Sequence, residues 1–461
     1  MGPLDGFVHF VTHGKRMHIR LLLTLAAVAA PLTAAGPAEA ASFVPGEVIV
    51  RYEGASSART RAAIQRRNDV GYSRKLPTGS RRLRILDGQS VADKVARMRR
   101  DSRIGHVVPN YVARASFVPN DPGLGGPLGW RALQWNFSGP AGVNGPEAWD
   151  LARAAGAPGG RGAVVAVLDS GVAYEDRGRF RRAPDLRADR FVAGYDFVDE
   201  DRRPNDENGH GTHIAGTIAQ RTNNALGVTG LAYGVKIMPV RVLDDRGGGD
   251  NAAIGRAIRF AAKRGADVIA MALEFEAGLE ASDIPDVVSA IRYAHRRGAV
   301  MVSAAGNVGY PVVAYPGRAT GVIAVGATTA SGCQASYSNS GSGLDLMAPG
   351  GGSDAPHFDN SYDAAHCRPG GRGGYIYQQT FSREKRVRSF GLPPKYQGTS
   401  MASAHVAASA ALLISSRRLG RDPTPTAVEE RLEATARDLG VPGVDNRYGA
   451  GLLDAAAALR R

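Results

Sequence analysis

The stretch DENGHGTHIAG, residues 206–216, sets His210 and His213 three residues apart, with glycine on both sides of the first. Histidine changes charge near neutral pH, so such a residue can carry a proton or bind a metal. The zinc spacing that puts a base beside its ligands reads H-E-x-x-H, and no carboxylate separates this pair. Alone, the two are helix-start histidines or a weak metal pair. Glycine at 209 and 211 marks a place where backbone or substrate comes close. Three other residues have a reactive type in a suitable setting. Asp169 follows the apolar run of AVVAVLDS, Asn307 ends AVMVSAAGN, and Ser400 opens a helical stretch in GTSMASAHVA. Singly these read as a turn, a strand end and a helix cap. Serine is a weak nucleophile at neutral pH and needs an adjacent base, which itself needs an orienting group.

Residues of this kind must be held by regular elements. AVVAVLDS, VKIMPVRVL, DVIAMAL, AVMVSAAGN and GVIAVGATT are continuous apolar runs, too short for helices and typical of buried parallel strands. GTHIAGTIAQR, NAAIGRAIRFAAKRG and DVVSAIRYAHRRG lie between the first four, and two more helical stretches follow. Such alternation predicts an α/β domain, a mostly parallel sheet in three layers with helices on both faces. Ligands of these sheets sit at the carboxyl ends of the strands, where Asp169 and Asn307 fall. Residues 42–115 read as a smaller unit, with strand-like GEVIVRY, helical SVADKVARMRR and strand-like IGHVVPNYVARA. The connector SFVPNDPGLGGPLG follows. The segment 350–374 is long, irregular and glycine-rich.

Bulk properties narrow the function classes. The chain has 461 residues, 43% of them hydrophobic and 22% charged, enough for a large core and two or three domains. Its net charge of +14 is concentrated: residues 42–115 hold 16 basic and 6 acidic side chains. A basic segment on a nearly neutral body argues against a nucleic-acid partner. Residues 1–41 resemble an export signal. Lys15, Arg16, His18 and Arg20 precede LLLTLAAVAA, and the A-x-A site AEA ends it; Met17 is a candidate true start. No later run is apolar enough for a membrane anchor, so a secreted protein, extracellular or periplasmic, is expected. Export permits a disulfide between Cys333 and Cys367, the only cysteines.

Asp, His and Ser in that chain order, within VAVLDSGV, NGHGTHIAG and GTSMASAHVA, together with SAAGN, resemble the subtilisin-like serine proteases over residues 120–457. The resemblance implies a secreted serine endopeptidase working through an acyl-enzyme. His210 would be the base, Asp169 its orienting acid and Ser400 the nucleophile. Asn307 would donate to the oxyanion. His213 would pack rather than catalyse. Ala272, Leu273, Glu274, Ala304, Gly306 and Tyr315 would bind substrate, with Tyr315–Pro316 a candidate cis bond. TNNALGVTG resembles a structural calcium loop. Calcium would be held by Asp185, Asn224 and the carbonyls of Thr222, Leu226 and Val228, with Gln134 a weaker candidate. Residues 42–115 resemble an inhibitor-type propeptide that assists folding, blocks the cleft and is removed near Ala115–Ser116, the catalytic domain being 116–461. A monomer without catalytic cofactor is implied.

The chain departs from the family at AMALE, where NMSLG is usual, so Ala272 and Glu274, on either side of Leu273, stand where a small polar residue and a glycine are usual. Two carboxylates, Glu274 and Glu276, would bias the cleft towards basic substrates. The insertion 350–395 is unassigned; one reading puts it at the cleft rim, braced by Cys333–Cys367. Two rivals remain: a non-catalytic relative of the same fold, and an α/β-hydrolase esterase, whose G-x-S-x-G the sequence GTSMA lacks.

Overall fold

The computed structural model describes residues 43–112, 116–276, 278–356, 358, 363–370, 373–383 and 386–460. The export segment and Ala115 at the expected cleavage point lie outside them. The chain divides into two units, residues 1–114 and 115–461.

In the first unit, alternation in GEVIVRY forms β1 (Phe43–Tyr52) and buries Val48 and Val50. Then come α1 (Ala58–Arg67), β2 (Val70–Lys75), β3 (Arg81–Ile85), α2 (Val91–Met98) and β4 (Ile104–Tyr111). The strands make one antiparallel sheet in the order β2-β3-β1-β4. Val91, Val95 and Met98 recur at helical spacing and form a core with Val48, Val50 and Leu83. The sequence reading found β1, α2 and β4. It missed α1, β2 and β3, whose many arginines obscure the apolar pattern.

The second unit begins with α3 (Gly145–Ala154), β5 (Val164–Asp169), β6 (Tyr195–Asp196), α4 (His210–Ala219), β7 (Lys236–Arg241) and α5 (Asn251–Lys263). It continues through β8 (Val268–Met271), α6 (Pro285–Arg296), β9 (Val300–Ala304), β10 (Val322–Thr328) and β11 (Leu346–Pro349). A short hairpin, β12 (Thr380–Phe381) and β13 (Phe390–Gly391), precedes α7 (Thr399–Ser415), α8 (Pro425–Ala434) and α9 (Ala455–Leu459). Seven strands form a parallel sheet in the order β11-β10-β9-β8-β5-β7-β6.

Successive residues of β5 serve opposite faces. Val165 and Val167 join the core built with α4 and α7, whereas Ala166 and Leu168 join the core of α5 and α6. Burial on both faces is why the strands read as unbroken apolar runs. Helix α7 is buried along its length from Thr399 to Leu413, and its alanines and serines let it pack closely against the sheet. The chain leaves β5 towards β6 and β7, then crosses to β8 on the other side, so the winding reverses at β5. Open α/β sheets bind ligands in the crevice at such a reversal. Asp169 is the last residue of β5.

Cys333 and Cys367 form a disulfide, and Tyr315–Pro316 is cis. Part of the insertion packs against α4. His213 Nε2 donates to the Ile376 carbonyl (2.9 Å), and its ring stacks on Tyr396 at 4.1 Å. Thr380 Oγ1 donates to the Gly209 carbonyl (2.5 Å). These residues brace the turn before His210.

Candidate active site

The site grows from the end of β5. Both Asp169 oxygens lie within reach of His210 Nδ1, at 2.8 and 2.9 Å, and the carboxylate also accepts the Ser170 N–H (2.7 Å). A carboxylate accepts only, so Nδ1 carries the proton and Nε2 is left as the basic nitrogen. Burial draws the imidazole pKa down, but the charge and hydrogen bond of Asp169 more than offset it, leaving His210 above the ordinary 6.5. His213 is buried without such a carboxylate, and burial pushes it down to about 3. It is neutral, a packing residue as the sequence implies.

The glycines around His210 have the close approach expected of them. Gly209 turns with φ at 106°, and a Cβ there would meet Thr380, Phe381 and Tyr396 at 3.1–3.2 Å. A Cβ on Gly211 would lie 2.1 Å from the Gly171 carbonyl oxygen and 3.1 Å from Asp169. Any larger residue would push α4 off β5 and part the histidine from its acid.

Sequence reasoning missed Asp206, although it opens the quoted motif. This buried carboxylate organises the loop. Oδ1 accepts from Ser170 Oγ (2.9 Å) and from the N–H groups of Asn208 (2.9 Å) and Gly209 (2.8 Å). Oδ2 accepts from Thr212 N (2.9 Å) and Thr212 Oγ1 (2.6 Å). Ser170 Oγ in turn accepts the Gly211 N–H (2.9 Å). An acid just before a helix satisfies first-turn donors, and that was the available signal.

Ser400 is the second residue of α7 and nearly buried. Its hydroxyl donates to the Ala272 carbonyl (2.9 Å). Asn307 follows β9. Its Oδ1 accepts Thr399 N (2.8 Å) and Thr399 Oγ1 (3.1 Å), which fixes the amide with Nδ2 on the opposite side. There Glu274 Oε2 accepts Nδ2–H (2.9 Å) and Oε1 accepts the Asn307 N–H (3.2 Å). Glu274 is exposed as a residue, but partial desolvation of its carboxyl raises its pKa. Ala272, Leu273, Ala304 and Gly306 are buried at the ends of β8 and β9. The Tyr315 side chain belongs to the α5/α6 core, and its carbonyl accepts the Phe275 N–H (2.7 Å). Its part at the strand ends is a backbone one.

With this geometry in place, comparison with known proteins is informative. The Subtilase family profile matches residues 160–451, and the Fervidolysin N-terminal prodomain matches 29–110. The chain belongs to the subtilase family. The thermophilic serine proteinase of Bacillus sp. (strain AK1) is 32% identical over 414 residues, 89% of this chain and 87% of that one. Thermitase of Thermoactinomyces vulgaris is 38% identical over 234 residues, 51% of this chain and 74% of that one. A solved protease of Pseudoalteromonas arctica is 32% identical with a TM-score of 0.59, covering 74% of this chain and 99% of that one. This subtilase is accordingly a serine endopeptidase, with a prodomain-like segment before its catalytic unit. Among the described residues no helix is long and apolar enough to cross a membrane.

Of the expected calcium ligands, Asp185 meets Asn224 directly and the Val228 carbonyl through Gln220. Asp185 Oδ1 accepts Asn224 Nδ2 (2.7 Å), and Asn224 Oδ1 is buried without a partner, an orphan that suits a cation. Gln220, however, directs its Nε2 at both Asp185 Oδ2 (2.7 Å) and the Val228 carbonyl (3.0 Å). Its Oε1 accepts the Gln379 N–H (3.1 Å), which fixes the direction of the amide. Two of the five expected ligand groups are therefore engaged by an amide nitrogen. Burial pushes Asp185 up to about 7. Gln134 pairs with Thr229 instead, through Oε1 to N (2.9 Å) and Nε2 to O (2.7 Å). The loop's second carboxylate is Asp121, also missed in the sequence, which accepts the N–H groups of Asn223 (2.8 Å) and Asn224 (3.1 Å).

Proposed function

We propose that this subtilase cuts peptide bonds through Asp169, His210 and Ser400, with Asn307 as oxyanion donor. The observation that carries the reading is the Asp169 carboxylate on His210 Nδ1, which leaves Nε2 as the basic nitrogen. Rotation about the Ser400 χ1 bond would move its proton from the Ala272 carbonyl to Nε2. Such rotation passes between staggered wells. Oγ then attacks the substrate carbonyl carbon, its proton passes to Nε2, and the carbonyl π electrons collect on oxygen as the oxyanion. Collapse breaks the C–N bond, and His210 returns the proton to the leaving amine. Water repeats the sequence on the acyl-enzyme. The α7 N-terminus adds positive partial charge where the oxyanion forms.

The proposal extends to biogenesis. The chain would be exported, with residues 42–115 acting as folding aid and inhibitor until the enzyme removes them near Ala115–Ser116. The prodomain match supports this. Calcium enters as a structural ion only, held by Asp185, Asn224 and the carbonyls of Thr222, Leu226 and Val228, in competition with Gln220. N-terminal sequencing of the secreted product from wild type and Ser400→Ala tests the whole. The wild type should begin near Ser116 and label with a fluorophosphonate. Ser400→Ala should keep its propeptide and not label. Equal processing, or labelling of both, would refute the reading.

A further inference from the structure

We propose that Glu274 latches the oxyanion donor of the resting enzyme and that a cationic substrate side chain releases it, so that Glu274 selects basic substrates through the rate of the chemical step. This rests on the Asn307 role proposed above. Thr399 fixes the Asn307 amide, so Nδ2 faces Glu274, and the carboxylate takes both the side-chain and backbone N–H of Asn307. The N–H group meant for a developing negative charge is thereby donated to a negative charge already present. A second Nδ2 hydrogen does not avoid the conflict, because the oxyanion would still form beside the carboxylate.

Among the described residues Glu274 makes no ion pair; its polar neighbours are the two Asn307 N–H groups. Glu276, two residues on, is another acid. Glu274 is exposed as a residue, so a substrate side chain can reach it, and partial desolvation of its carboxyl raises its pKa from the ordinary value. β8 and β9 are adjacent in the sheet, so Glu274 and Asn307 extend from neighbouring strand ends. Asn307 would bind the scissile carbonyl, which places Glu274 near the residue that supplies that carbonyl. A guanidinium or ammonium there offers the carboxylate a charged partner in place of two neutral donors. Charge-assisted hydrogen bonds are roughly twice as strong as neutral ones. A neutral substrate breaks the latch with nothing in return.

The test uses peptide amides that differ only in arginine or citrulline before the scissile bond, since citrulline keeps the shape and lacks the charge. Mature wild type, Glu274→Gln and Glu274→Gly are compared after their thermal melts show that each is folded. One oxyanion donor contributes roughly 10²–10³ in rate, so a latched donor should withhold part of that. In wild type, kcat for arginine should exceed that for citrulline by about tenfold. In both variants kcat for citrulline should rise by about tenfold and the gap should close, with KM moving less than kcat. If citrulline kcat is unchanged or falls in both variants, or if only KM for arginine changes, Glu274 is at most a passive pocket wall and the latch is overturned. Fluorophosphonate labelling that needs Ser400 separates this failure from failure of the triad reading.

Discussion

Asp206→Asn tests whether the loop before α4 is what holds His210. The amide is nearly isosteric with the carboxylate. Its oxygen can still accept from Ser170, Asn208 and Gly209, but its NH₂ faces the Thr212 N–H and hydroxyl, which Asp206 Oδ2 accepts in wild type. The Thr212 hydroxyl can rotate to accept. The backbone N–H cannot, and it stays buried opposite another donor. Leaving one such donor costs about 1–3 kcal/mol, and losing the charge-assisted bond to Oγ1 adds about 1–2. The sum is about 2–5 kcal/mol. In a unit of this size that lowers Tm by about 3–7 °C. His210 opens α4, so the same loosening misplaces the imidazole, and a shift of about 1 Å costs about 10²-fold in rate. Melting should be measured in a Ser400→Ala background, where self-digestion is absent, and kcat/KM in the active chain. Glu207→Gln is the control: it removes only a partly exposed ion pair to Arg179 and should shift Tm by less than about 1 °C. An Asp206→Asn protein with unchanged Tm and kcat/KM would show that this hydrogen-bond set does not position the histidine.

Two further results are expected. Because Asp169 raises the His210 pKa and the base must be neutral, the acid limb of kcat/KM should have its midpoint above 6.5. Asp169→Asn should move that limb down and cut the rate by about 10⁴, and a limb that Asp169→Asn leaves in place would count against the pair. The same raised pKa stabilises the fold below pH 6.5, a contribution lost as pH rises through the folded value. At the 222–228 loop, wild-type Tm should differ by less than about 2 °C between EDTA and millimolar calcium. Gln220→Ala should melt earlier in EDTA and recover with calcium, and Asp185→Asn should abolish the recovery. Strong calcium stabilisation of wild type that depends on Asp185 would refute the competition by Gln220.

The parts of this subtilase that the sequence discloses are those whose physics is local. A strand buried on both faces must be apolar throughout, so β5, β7, β8, β9 and β10 stand out. Asp169, His210, Asn307 and Ser400 stand at or just beyond the ends of such elements, where composition changes abruptly. In the first unit the rule fails: α1 and β3 are rich in arginine, and from α1, β2 and β3 only Ile64, Val70 and Leu83, with Ile85 partly buried, are packed in the core among the described residues. The residues whose part escaped notice act across the fold. Gln220 and Gln379 are separated by 159 positions, yet one amide of the first satisfies the second, Asp185 and Val228 together. Glu274 is visible in the sequence as an odd residue where glycine is usual, and a bias towards basic substrates is expected from it, but its hydrogen bonds to Asn307 are not. Glutamate at that place matters because β8 and β9 are parallel neighbours, which brings residue 274 onto residue 307. A motif can therefore be complete while its resting state is set by a side chain outside it. Here all four motif residues are present, with the Ser400 hydroxyl on the Ala272 carbonyl and the Asn307 amide on Glu274. The first uses a backbone carbonyl that any residue at 272 would offer, whereas the second uses the Glu274 side chain and so comes from the departure AMALE. The segment in which this chain leaves its family's pattern is thus the one that holds the oxyanion donor.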